Sequence, residues 1–340
     1  MGMRRKIEGV LGGKLLNFAG RKFVKDAELI KREVFLPETG LTVHYYEREG
    51  DGTSRDESTP QPTLLLLHGI TDEAKNMAAL VIVLRKELPH WRIIVPDLIG
   101  HGHDLARAKK EGSSFEYPTP ERLLQCMTEF VTALNIQQCT AFGMSMGGAL
   151  AYFLQSEKPE VVQNTILISP ALNAVLDSQF IQDFVTRQKN HFCYECRDDV
   201  KYFFRDLSCP HRKVKDPVPK FLLEAIWKQR LAQAPEGHFH SLFEHLLKER
   251  EKEHEIWHCS SDIAPEAKKL VIWPQNDFIA NHDQGQAFFA KSSDKTTFHS
   301  VPDCGHLFHS NGKNVMEIAA PLMVDFLKQT ELDGYGITKG

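Results

Sequence analysis

The sequence predicts an α/β fold: a mostly parallel sheet with helices on both faces and an all-helical block inserted late in the chain. Three observations carry this. First, the runs TLLLLHG (63–69), WRIIVPD (91–97), CTAFGMS (139–145), TILISPA (165–171), KLVIWPQ (269–275) and TFHSVPD (297–303) are nearly continuous apolar stretches. Strands buried on both faces have this texture. Second, helical periodicity falls between most of them, over about 74–88, 118–134, 146–157, 283–291 and 314–329, and strand alternating with helix marks a parallel sheet. Third, residues 172–266 carry no strand pattern, only helical stretches around 175–189, 196–207, 217–232 and 237–252. Such a block between two strands reads as a cap, or lid.

Taken in chain order, residues 1–30 form a basic amphipathic leader segment. Arg4, Arg5, Lys6, Lys14, Arg21, Lys22 and Lys25 face only Glu8 up to Lys25, a net +6 in a chain whose total is −4, so the remainder carries −10. Val10, Leu11, Leu15, Leu16, Phe18 and Phe23 are interleaved with these charges. The pattern fits peripheral contact with an anionic membrane surface, a targeting segment, or a leader helix docked on the domain with its charges solvated. REVFLP (32–37) and LTVHYYE (41–47) then read as a hairpin, and the polar stretch 48–63 as a surface loop. The core is expected to comprise 31–171 and 267–332, with 172–266 as the cap.

Composition narrows the function classes. A charged share of 25% and a net charge of −4 in 340 residues supply no basic field for nucleic acid. No apolar run approaches the ~18 residues of a membrane span. Seven scattered cysteines fit reduced thiols better than a disulfide framework. A cytoplasmic or peripheral-membrane location follows as the expectation.

The stretch AFGMSMGGAL places Ser145 where a buried strand ends and a helix begins. A turn that sharp strains the serine backbone. Gly143, Gly147 and Gly148 remove the Cβ atoms that would collide, and the hydroxyl is lifted to the C-terminal edge of the sheet. A serine nucleophile needs a base, and the base an orienting acid. The last strand is followed by DCGHLFH and the one before it by WPQNDFIAN, which puts His306 and Asp277 on adjacent strand-end loops. Asp303 lies nearer His306 in sequence, but the strand-end location favours Asp277. His309 falls beyond the turn, His299 inside a strand, and His101 and His103 in a tight loop beside the site with Asp97 structural. The backbone N–H groups of Ile70, after LLLLHG, and of Met146 would together form an oxyanion hole.

HFCYEC followed by CPH gives His191, Cys193, Cys196, Cys209 and His211, a spacing that resembles a zinc site. Nothing flanking it looks like a zinc-ribbon turn, so these read as cap thiols and surface histidines. The serine chemistry needs no metal or organic cofactor.

HGI, PDLIGHGHD, GMSMGGALA, WPQND and CGHLFH together resemble the α/β-hydrolase superfamily, in its order and approximate spacing, over about Leu64 to Leu327. The SMGG elbow and the helical cap most resemble its monoacylglycerol-lipase-like branch. The resemblance implies an eight-stranded core, the triad Ser145, Asp277 and His306, and an oxyanion hole from Ile70 and Met146. Many relatives have a polar residue before the nucleophile and an aromatic one after HG. Met144 and Ile70 stand there instead, which bears on acyl-pocket shape. The expected activity is cleavage of carboxylic esters through an acyl-enzyme on Ser145, with a small-molecule acyl ester as substrate. The apolar cap favours lipid-like acyl esters such as monoacylglycerols. The alternatives are a small-molecule carboxylesterase, a carbon–carbon bond hydrolase on the same triad, and a slow or non-catalytic ligand receptor.

Overall fold

A computed structural model describes residues 2–52, 61–105, 116–186, 197–208, 218–234, 237–250, 263–307 and 315–333. The elements in order are α1 (Gly2–Asp26), β1 (Ile30–Leu36), β2 (Leu41–Arg48), β3 (Thr63–Leu67), a 3₁₀ turn (Ala74–Met77) leading into α2 (Ala78–Glu87), β4 (Arg92–Pro96), α3 (Pro120–Ala133), β5 (Cys139–Met144), α4 (Met146–Glu157) and β6 (Val162–Ile168). After the 3₁₀ turn Asn173–Val175 come α5 (Ser178–Val185), α6 (Arg197–Ser208), α7 (Lys220–Gln233) and α8 (His238–Arg250). The chain then returns to the sheet with β7 (Lys268–Pro274), α9 (His282–Phe289), β8 (Thr296–Val301) and α10 (Val315–Leu332).

The eight strands form one sheet in the order β1-β2-β4-β3-β5-β6-β7-β8. β2 runs antiparallel to both its neighbours, and every pairing from β4 to β8 is parallel. Alternation of side chains along each strand divides the interior in two. Leu64, Leu66, Ile93, Val95, Phe142, Ile166, Ile168, Leu270 and Ile272 pack with α2 and α10. Leu65, Leu67, Ile94, Ala141, Leu167, Val271 and Trp273 pack on the other face with α3 and α4, in a cluster that continues into the helices between β6 and β7 through Phe180, Phe184, Val200, Phe203 and Leu242. Each fully buried leucine of β3 contributes roughly 1.5–3 kcal/mol, which explains why TLLLL occupies the centre of the sheet.

Local chemistry sets the boundaries. Thr119 caps α3 by accepting from the Arg122 N–H, with Pro120 at the first helical position. β6 begins three residues earlier and ends three residues earlier than the apolar run 165–171 predicts, because Ser169 takes a left-handed backbone (φ 41°). Pro170 behind it has no N–H with which to continue the ladder. The first cap helix is shorter than expected. Asp177 caps it by accepting from the Gln179 and Phe180 N–H groups, and Leu176 before it bridges to Ala280.

Glu129 and Arg48 are buried charges with full complements of partners. The Glu129 carboxylate accepts from the Glu38 and Thr39 N–H groups. Arg48 donates to the carbonyls of Pro89 and Trp91 and to Asp51. α1 lies along α7, of the helical block between β6 and β7, and also touches α2. Among the described residues, no helix is long and apolar enough to cross a membrane.

Candidate active site

Ser145 stands between β5 and α4 with φ 54° and ψ −119°, a region that costs a non-glycine residue about 1–3 kcal/mol. Neighbouring backbone over-determines it. The Ser145 N–H donates to the Ile168 carbonyl at 2.9 Å, while its carbonyl accepts from Ala149 at 3.0 Å and Ala171 at 2.9 Å. The flanking glycines make this possible by close approach. A Cβ on Gly143 would sit 2.0 Å from the Gly147 carbonyl oxygen, and one on Gly147 would sit 2.3 Å from that of Leu67. One on Gly148 would meet the Pro170 Cα at 2.9 Å. The elbow is therefore wedged against the end of β3, and a Cβ on Gly69 would be 3.7 Å from that of Ser145. This sets the loop carrying Ile70 beside the serine. Met146, Gly147 and Gly148 open α4, and a helix leaves its first N–H groups without intrahelical acceptors.

Asp277 follows β7, and His306 follows β8. The Asn276 N–H donates to the Cys304 carbonyl at 2.9 Å, tying the two loops together. Asp277 Oδ1 accepts from the Ile279 and Ala280 N–H groups at 2.9 and 3.0 Å, and Oδ2 meets His306 Nδ1 at 2.7 Å. A carboxylate at Nδ1 places the imidazole proton there and leaves Nε2 as the basic nitrogen. Ser145, Asp277 and His306 are all buried, at the C-terminal edge of strands β5, β7 and β8. The rivals lie apart. Asp303 is exposed, and His299 is half-buried within β8. His309 lies outside the described residues.

Behind Ile70 stands a group of histidines that local pattern does not reveal. His68 is fully buried. Its Nε2 accepts from the Leu98 N–H at 3.1 Å, so Nδ1 carries the proton and donates to the Gly69 carbonyl at 2.9 Å. His101 packs edge-on against His68, with ring centroids 5.0 Å apart. Its Nε2 lies 2.5 Å from the Ile70 carbonyl and its Nδ1 3.0 Å from that of Ile99. In sequence, His101 sits between two glycines in GHGHD, which signals a turn and nothing of its burial. α8 reaches the same loop: His238 Nε2 donates to the Gly100 carbonyl at 2.9 Å, and Phe239 packs on His101.

Asp97 is structural. Its Oδ1 accepts from the Ala74 N–H, and its Oδ2 meets His103 Nδ1 at 2.7 Å. Burial pushes its pKa up, but the bond from His103, the neighbouring His68 and the Ala74 N–H outweigh burial and bring it to about 2. For His101, burial foremost and then the nearby His68 lower the pKa to about 3, against the two carbonyls that raise it.

These values define an acid limit for the fold. Between pH 6.5 and about 3 the unfolded chain protonates His101 and the folded one does not. Stability therefore falls as pH drops through that window, with a slope approaching about 1.4 kcal/mol per pH unit from this residue. The contribution of Asp97 is complete above about pH 4 and is lost as pH falls through about 2. We expect urea midpoints to decline from pH 6.5 to 4, and the decline to flatten in His101→Asn. An unchanged slope in that variant would show that His101 is not held neutral.

No group of three or more His, Cys, Asp or Glu suited to a metal occurs among the described residues. His191, Cys193, Cys196, Cys209 and His211 lie outside them. Cys126, Cys139 and Cys304 are buried thiols. Burial pushes the thiols of Cys126 and Cys139 up to about 12.

Comparison with known proteins supplies the family. The model of the alpha/beta hydrolase fold family matches residues 62–313. The chain belongs to that family. An uncharacterized protein of Mycobacterium tuberculosis is 30% identical over 133 residues, 38% of this chain and 33% of its own length, so the chain spans about a third of that relative. A protein of Acinetobacter baumannii described as a lipase superposes with a TM-score of 0.71 at 19% identity, covering 93% of this chain and 97% of that one. A bacterial membrane phospholipase A superposes at 0.68, also at 19% identity, covering 98% and 95%. At such identities the likeness shows a shared fold.

Proposed function

We propose that the protein is a serine hydrolase of carboxylic esters, acting through an acyl-enzyme on Ser145, with lipid-like acyl esters such as monoacylglycerols as its substrate class. The observation that carries this reading is the buried Asp277–His306 pair, 2.7 Å apart, at the same sheet edge as a serine held at a positive φ. His306 Nε2 takes the hydroxyl proton as Ser145 Oγ attacks the ester carbonyl. Asp277 holds the imidazole tautomer and stabilises the imidazolium. The N–H groups of Ile70 and Met146 stabilise the oxyanion, and losing one such donor costs about 2.7–4 kcal/mol of barrier. His306 then protonates the leaving alcohol and activates the water that releases the acid.

Two features support an apolar acyl group. Phe180 of the cap packs edge-on against Phe278, which directly follows Asp277, with centroids 6.0 Å apart. Phe243 meets both Phe180 and Phe184, and Phe239, one turn before Phe243 on α8, packs on His101. The similar chains described as a lipase and a membrane phospholipase A point the same way. Two measurements test the reading: labelling by a fluorophosphonate probe, and hydrolysis of p-nitrophenyl esters from acetate to palmitate alongside a monoacylglycerol. Labelling with an optimum at long chains is expected. Activity confined to acetate would replace the lipid reading with that of a small-molecule carboxylesterase. A protein that is neither labelled nor active on any chain length is not a serine hydrolase.

A further inference from the structure

The outward arc of α1 combines apolar and basic groups in a way that neither the core nor the proposed chemistry uses. With 100° per residue, Arg21, Lys14, Lys25, Phe18, Lys22 and Leu15 fall in that order within roughly 120° of the helix circumference. All six are exposed, Phe18 at 67% and Leu15 at 48%. Leu16, Ala19, Gly20 and Val24 occupy the opposite side and are half-buried, with Val24 packed on the core cluster of the α2 face and Phe23 among them 46% exposed. Lys22 shares its charge with Asp26 one turn on, and Asp26 is the only acidic residue of α1 besides Glu8.

A lone exposed phenylalanine would need no explanation. A phenylalanine at the centre of a cationic arc, with a leucine at its margin, is different. Here the arc belongs to a segment of net +6 on a chain whose remainder carries −10. The charge asymmetry turns this face toward a negative surface and the rest of the molecule away from it. An interfacial helix works in this way: lysine and arginine engage lipid phosphates while aromatic and aliphatic side chains enter the acyl boundary.

We propose that the arc formed by Lys14, Leu15, Phe18, Arg21, Lys22 and Lys25 is a docking surface for an anionic phospholipid bilayer. Because α1 lies along α7 and touches α2, docking seats the bilayer on a helix that joins cap and core. The inference stands on the surface alone and does not depend on the esterase reading, since binding is measured without turnover.

The test is sedimentation of the full chain with phosphatidylcholine vesicles, with and without phosphatidylserine. Binding is expected only with phosphatidylserine and should weaken as salt rises. The triple variant Lys14→Glu/Arg21→Glu/Lys25→Glu should bind at least about a hundredfold more weakly, at about fivefold for each basic residue lost. Leu15→Ser/Phe18→Ser should lose about tenfold or more with all charges kept. These positions face solvent, so unchanged circular dichroism and thermal midpoints are expected and separate lost docking from lost folding. No binding to phosphatidylserine vesicles overturns the proposal, as do equal binding without that lipid or binding unchanged in both variants. A wild-type dimer by light scattering that Leu15→Ser/Phe18→Ser converts to monomer would assign the arc to a second copy of this chain instead.

Discussion

Replacing Ser145 with glycine is expected to abolish ester hydrolysis while making the protein more stable. The loss of the nucleophile should lower kcat by on the order of 10⁶. The gain comes from the backbone. Ser145 holds φ 54° and ψ −119°, where an L-residue is strained by about 1–3 kcal/mol and glycine is not. The unfolded state of the glycine variant gains about 0.4–1 kcal/mol of entropy, so the net stabilisation should be about 1 kcal/mol. Ser145→Ala should match the loss of activity without the gain, because alanine keeps the Cβ. Denaturant midpoints and p-nitrophenyl ester kinetics on the three proteins decide the matter. Activity retained in either variant would place the nucleophile elsewhere, and a destabilised glycine variant would show that the elbow is not under strain.

The second large effect is expected at Gly143. An added Cβ would lie 2.0 Å from the Gly147 carbonyl oxygen and 2.6 Å from the Gly148 nitrogen. Both are backbone atoms, fixed by α4 and by its packing on the end of β3, so no side chain can swing aside. Gly143→Ala should cost more than about 4 kcal/mol and appear mainly as insoluble protein. Gly13→Ala is the control. It lies in α1 with nothing within 4 Å of the added methyl group, and should be neutral or stabilising by up to about 1 kcal/mol. A soluble, active Gly143→Ala protein would mean that the turn has room the structure does not show.

The strands were legible because burial on both faces leaves a continuous apolar signature: TLLLL, RIIVP and CTAFGM sit where their composition places them. Their ends were less so. Where β6 stops depends on the backbone of Ser169, and a positive φ leaves no mark in a serine. In the candidate site, the spacing of Ser145, Asp277 and His306 placed all three at strand ends. The direct bond between Asp277 and His306 then emerged from the pairing of β7 with β8. His68 and His101 escaped notice as buried groups, because burial of a histidine beside glycine in a loop is decided by the chain packed over it. The block between β6 and β7 was readable as helices and unreadable as contacts. Nothing in residues 1–26 says that they lie along α7.

One hydrogen bond has a wider bearing. The Leu307 N–H, next to the candidate base, donates to the Leu207 carbonyl near the end of α6 at 2.9 Å. The peptide that carries the imidazole is thus anchored to the roof as well as to the floor of the molecule. Displacing α6 would break this bond and free the backbone beside His306, so the position of that imidazole depends on a helix of the block between β6 and β7 as well as on β8.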